Sequence, residues 1–181
     1  MRYIQDFNSI RSKYVKFGVD NYYSNFKNEY SNPHLKNVEN CLDWVDSQIN
    51  IGYFLDLGCG KGEVSNYLKN KGLNEFKGLD PYFFEIYEER FNKKCYNLKY
   101  EDLAISSLGE KFNSVISSYS LHLCPKSYYE QLLYSLSCIC NNLVIISPSK
   151  YPIVNSYFTK LETKIINRTH CSVYINNILE K

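Results

Sequence analysis

The residues best placed by type and spacing to do chemistry run from Asp56 to Glu63, in the order Asp-Leu-Gly-Cys-Gly-Lys-Gly-Glu. Gly58, Gly60 and Gly62 stand two apart, so the backbone can turn sharply there and has no Cβ to hold a ligand off. Asp56 and Glu63 put a carboxylate on either side of the glycines. Such a loop is a binding device. Proton transfer would fall to a histidine, whose ordinary pKa lies near neutrality. His122 is the first candidate, because it follows a strand-like stretch, and His34 is the second. Leu121 and Leu123 flank His122, so a buried, hydrogen-bonded structural histidine is an equal reading.

Three ligands compete for a glycine loop of this kind. A triphosphate wants G-x-x-x-x-G-K-S/T, and Lys61 stands in the wrong place for it. A dinucleotide wants G-x-G-x-x-G, and Glu63 occupies the position of its last glycine. Both carry phosphates, which Asp56 and Glu63 repel. S-adenosylmethionine carries an ammonium and a sulfonium and no phosphate, so an acid-lined loop suits it. The loop is expected to open a helix whose first N–H groups are free. Asp80 comes about 20 residues on, the spacing of an acid that accepts from ribose hydroxyls. Its other reading is a helix cap before Pro81, and both roles can hold together. Pro81 and Tyr82 would then lie against the sugar or adenine. Asp102 is placed to accept from the adenine amine, with the Leu103 N–H near a ring nitrogen. Glu101 competes for that role, and a solvated loop acid is the plain alternative.

These residues need strands to carry them and helices to cover the strands. Strand-like runs are expected at Ile51–Leu57, Glu75–Leu79, Cys95–Leu98, Ser114–Ser118 and Leu143–Ile146. Helical spacing is expected over Asn37–Gln48, Glu63–Asn70 (stopped by Gly72), Phe83–Lys93 and Lys126–Cys138. Tyr157–Leu161 reads as the end of a helix, and Lys164–Asn167 and Ser172–Ile178 as two strands. This alternation predicts an α/β fold: a mostly parallel sheet with helices on both faces. Residues 1–49 form a helical extension, and 50–181 form the main domain.

Composition agrees with an ordinary globular chain. Of 181 residues 44% are hydrophobic and 22% charged, and the net charge of +2 gives no electrostatic reason for strong nucleic-acid or membrane binding. No stretch approaches the roughly 20 apolar residues of a membrane span, and Met1–Ile10 has no apolar leader. A cytoplasmic place is expected, with the nucleus left open. Seven scattered cysteines without a C-x-x-C pair point neither to a disulfide framework nor to zinc. No metal is expected.

FLDLGCGKG, FKGLDPY, YEDLA and FNSVISSYSLHL, spread over about Asp43–Pro152, resemble the four motifs of the class I S-adenosylmethionine-dependent methyltransferases. The resemblance implies a Rossmann-like seven-stranded sheet whose last strand is antiparallel. It implies that Asp56, Gly58, Cys59, Gly60 and Gly62 hold the methionine end, and that Asp80 binds the ribose. Asp102 and Leu103 would hold adenine, and Ser118 and Tyr119 would border the sulfonium. The fourth motif lacks N/D-P-P-Y/F, which marks amide- and adenine-amine-directed members, and it lacks the P-C of cytosine-directed ones. VDNYYSNFKNEYSNPHLKNV resembles an aromatic lid with a Y-x-N-P-H segment found in other members. That makes Tyr22, Tyr23, Tyr30, Asn32 and His34 candidates for the acceptor side, against a reading in which they only pack. The acceptor itself, whether small molecule, protein or RNA, is not written in the sequence. The rival readings are an inactive methyltransferase-like subunit that binds cofactor or a protein partner, and a nicotinamide dehydrogenase.

Overall fold

The structure, a computed structural model, describes Gly18, Asn21, Tyr23, residues 32–149, Val154 and residues 156–178. The chain divides into two compact units, Met1–Pro33 and His34–Lys181. The division comes earlier than the expected one at residue 49. In the first unit Asn21 and Tyr23 are helical. Tyr22 and Tyr30 lie outside the described residues.

In the second unit the elements run α1 (Leu35–Asp46), β1 (Phe54–Leu57), α2 (Glu63–Asn70), β2 (Phe76–Leu79), α3 (Phe84–Phe91) and β3 (Cys95–Tyr96). They continue with α4 (Tyr100–Ile105), β4 (Phe112–Ser118), α5 (Tyr129–Ile139), β5 (Cys140–Ser147), β6 (Phe158–Ile166) and β7 (Thr169–Asn176). The strands form one seven-stranded sheet in the order β3-β2-β1-β4-β5-β7-β6. β1 to β5 are parallel, and β7 runs antiparallel to both of its neighbours.

Side chains alternate across a strand, and here both faces are buried. Leu55, Leu57, Val115, Leu143 and Ile145 face one way, onto Leu103 of α4 and Leu132, Leu133 and Leu136 of α5. Phe54, Ile116, Val144 and Ile146 face the other way, onto Val38, Leu42 and Val45 of α1 and Leu68 of α2. α1 therefore belongs to the sheet's own cover.

Two expectations are corrected. Tyr157–Leu161 does not finish a helix. Phe158–Ile166 is a single strand, mostly exposed, at the edge of the sheet. Its polar outer face gave no alternation strong enough to read. The acidic pair Glu101 and Asp102 lies within a short helix, α4, and not in a loop.

Candidate active site

Register fixes the site. Leu57 of β1 pairs with Leu79 of β2 and with Ser117 of β4, so the three strands end at one level. The glycine loop, Asp80 and Tyr119 therefore leave the same carboxyl edge of the sheet, where open α/β sheets bind ligands.

The loop is tied down from inside. The N–H groups of Gly58 and Cys59 both donate to the Leu79 carbonyl, at 2.8 and 3.1 Å, and that of Gly62 donates to the Cys59 carbonyl at 2.8 Å. The Gly60 N–H donates to Asp80 Oδ2 at 3.0 Å. Four amides of the loop are thus bonded within the protein. Gly62 takes φ 81°, and a Cβ there would run into the Phe91 ring. Gly58 takes φ 69°, and a Cβ there would come within 2.5 Å of Ser120 Cβ and of the Tyr100 hydroxyl.

Asp56 sits beneath the loop with 1% of its surface exposed. Its Oδ2 accepts from the Ser65 hydroxyl at 2.8 Å and from the Ser65 N–H at 3.2 Å. The Tyr87 hydroxyl stands 2.5 Å from Ser65 Oγ and completes the chain. Burial pushes the Asp56 carboxyl up to about 8, although both bonds from Ser65 pull it down. Asp56 braces the loop from below and faces no ligand. Cys59 is also buried, with its sulfur 3.6 Å from that of Cys95. Only its backbone lies in the loop surface.

Asp80 has both of the roles read for it within reach. Its Oδ1 accepts from the N–H groups of Tyr82 and Phe83, at 2.8 and 3.0 Å, just ahead of α3. With Gly60 that makes three bonds, and a carboxylate has about four acceptor sites. Burial raises its pKa against those three bonds. Pro81 and Tyr82 are half-buried in the turn that follows.

The adenine assignment is corrected in part. Asp102 is exposed, and its Oδ2 accepts from the Lys99 N–H at 2.9 Å, closing the first turn of α4. The Leu103 N–H donates to the Lys99 carbonyl at 3.1 Å, so it has no bond left for a ring nitrogen. Leu103 itself is core.

At the end of β4, Ser118 Oγ is buried without a hydrogen-bond partner. Tyr119 takes φ 53°, rare for a bulky residue and a mark of functional strain when the surroundings hold it. They do hold it. Its N–H donates to the Ile146 carbonyl at 2.8 Å and its hydroxyl lies 2.7 Å from Thr169 Oγ1. The His34 ring stacks on the Tyr119 ring, centroids 4.7 Å apart and 6° from parallel. His122 lies in a 3-10 turn, Leu121–Leu123, and is exposed, so the buried structural reading is overturned. It lines a recess with Tyr119, Ser120, Leu121 and Ser147. Tyr119 thus touches the His34 ring and shares a recess with His122. Tyr23 and Asn32 fall in the other unit.

Sequence reasoning passed over Ser65, Tyr87 and Tyr100. Tyr100 directly precedes the acidic pair, but nothing in its spacing tells that its hydroxyl reaches Gly58.

With this geometry the chain can be set beside known proteins. A Pyrococcus horikoshii protein superposes with a TM-score of 0.67 and 15% identity, over 93% of this chain and 100% of its own. This is a Rossmann-like methyltransferase fold. Magnesium protoporphyrin IX methyltransferase from Synechocystis, solved with bound S-adenosylmethionine, shares it at a TM-score of 0.63 and 16% identity, over 93% of this chain and 95% of its own. The N-methyltransferase NodS of Bradyrhizobium japonicum, in complex with S-adenosylhomocysteine, shares it at 0.63 and 12%, over 81% of this chain and 89% of its own. An uncharacterised Schizosaccharomyces pombe protein is 27% identical over 189 aligned positions, 80% of this chain and 76% of its own. No protein-family model matches the chain. No helix among the described residues is long and apolar enough to cross a membrane.

Proposed function

We propose that this chain is an S-adenosylmethionine-dependent methyltransferase. One observation carries the reading. The N–H groups of Gly58, Cys59, Gly60 and Gly62 are spent on Leu79, Asp80 and Cys59, so this loop offers none of them to a phosphate. Anion-binding glycine loops work by presenting such groups free. What the loop presents instead is the partly exposed Gly60–Lys61 turn beside two acids, Asp80 and Glu63, which favour a cation. Phosphate-bearing cofactors fit that arrangement badly, and an ammonium with a sulfonium fits it well.

When bound, the cofactor supplies a methyl group already activated for in-line displacement. The residues of this chain then hold and align. Asp80 keeps about one acceptor site for a ribose hydroxyl. Ser118 and Tyr119 border the reacting end. The stacked His34 and Tyr119 rings form a flat wall for the acceptor, and His122 stands beside it as the group to take a proton where the acceptor atom bears one. Alignment and exclusion of water are what the reaction asks of the protein.

Calorimetry tests the reading. Wild type should bind S-adenosylmethionine and S-adenosylhomocysteine, Gly60→Arg should bind neither, and Asp80→Ala should bind at least tenfold more weakly. Saturable NADH binding with no binding of either methionine derivative would overturn it. Labelled-methyl transfer to cell extract, fractionated into protein, RNA and small molecules, then separates an active enzyme from a binding subunit.

A further inference from the structure

We propose that the outer edge of β6 is a homodimer interface, where the strand pairs antiparallel with β6 of a second copy of this chain about a two-fold axis at Thr163. β6 ends the seven-stranded sheet, and among the described residues no strand lies along its far side. A sheet edge of this kind is open to a further strand. The inference stands apart from the methyltransferase reading, which asks for no partner there.

Which backbone groups face outward follows from the turn. Ile166 and Thr169 pair across the two residues Asn167 and Arg168. The pair closing a two-residue turn is hydrogen-bonded, and bonded and unbonded pairs alternate along the ladder from there. Counting back, Lys164 and Glu162 bond to β7, while Ile165 and Thr163 turn their N–H and C=O groups outward. Two observations agree. The Thr163 N–H donates to Glu162 Oε1 at 3.1 Å. Thr163 Oγ1 lies 2.9 Å from Ser172 Oγ, the close side-chain contact of an unbonded pair.

The side chains choose the occupant. Lys160, Glu162 and Lys164 alternate in charge, and all three are exposed. Among the described residues neither Glu162 nor Lys164 has an ion-pair partner. With Thr163 opposite its own copy, Glu162 meets Lys164 twice. Leu161, 46% exposed, meets Ile165, 62% exposed, also twice. The two Thr163 residues exchange N–H to C=O bonds across the axis, which frees Glu162 for Lys164. An axis at Glu162 or at Lys164 sets like charges opposite one another, which is destabilising. An axis at Leu161 falls on the ladder's irregularity between Lys160 and Glu162, and one at Ile165 runs the pairing into the turn. The register left is self-complementary, and a two-fold contact closes at two copies. Five residues a side make a small interface, so the dimer is a weak one.

Sedimentation equilibrium tests this at protein concentrations from roughly 5 to 500 µM, a range suited to weak association. Wild type should rise from the mass of one chain to that of two and stop there. Glu162→Lys and Lys164→Glu should each stay single chains throughout, since each sets like charges opposite. Mixed in equal amounts the two variants should pair, because each carries the charge the other needs. The double variant Glu162→Lys/Lys164→Glu, which keeps the net charge of wild type, should dimerise as wild type does. Melting temperatures should stay level, because both positions are exposed. Wild type that remains a single chain over the whole range overturns the proposal. A dimer undiminished in both single variants lies on another surface and overturns it too. So does failure of either the mixture or the double variant to recover the dimer, and so does growth beyond two copies.

Discussion

Asp56 and Asp80 lie two strands' ends apart beneath and beside one loop, and burial raises the pKa of both. For Asp56 the consequence can be given a sign. Its folded-state value of about 8 stands above the ordinary value of about 4. Between those pH values the native state holds a proton that the unfolded chain releases. Stability therefore falls as pH rises through that window and levels off above it. Asp56→Asn, which keeps the shape without the charge, should flatten that fall, so that the variant gains on wild type between pH 5 and pH 9 in urea unfolding midpoints. A wild-type midpoint that climbs over the same range would contradict the assignment. The sequence made Asp56 legible as a loop acid but not as a buried brace, because Ser65 and Tyr87 reach it from α2 and α3 only in three dimensions. Leu103 was misread for a related reason. Its N–H is free in an extended loop and bonded in a helix, and α4 is too short to announce itself by periodicity.

Among the elements, the long apolar runs were the readable ones. α2 occupies Glu63–Asn70, with Gly62 ahead of it and Gly72 after it, because an amphipathic face between two glycines leaves little choice of ends. β6 was unreadable, since most of its residues face solvent at an edge and carry no alternation. The turn joining it to β7 is equally muted. Asn167 and Arg168 take φ 47° and 66°, the two positive values of a type I′ hairpin. Glycine at the second position announces such a turn, and arginine hides it. Arg168→Gly should therefore stabilise the protein by about 0.5–1 kcal/mol, since a left-handed non-glycine residue costs about 1–2 kcal/mol and glycine returns part of that as chain entropy. Denaturant unfolding measures it, and a loss of stability would show that the arginine side chain matters more than its backbone.

At the level of the whole molecule, charge bears on the acceptor. The net charge is +2 over 181 residues. An acceptor held through six to ten phosphates would lose roughly a thousandfold or more in affinity between 50 and 200 mM salt. A chain this close to neutral should show far less, and methyl transfer at subsaturating acceptor should change by no more than about threefold across that range. A steep salt dependence would point to a nucleic-acid acceptor gripped by a local patch that net charge conceals.

β7 lies between β5 and β6 and is made after both. On the ribosome, β5 emerges with the apolar run Leu143–Ile146 and one ladder side open, and β6 emerges with no strand to join. Neither gap closes until Thr169–Asn176 has left the tunnel and threaded between them. Synthesis thus passes through an interval in which the nascent sheet bears a naked edge, the kind that recruits other chains. Slow elongation over 158–176 would lengthen that exposure.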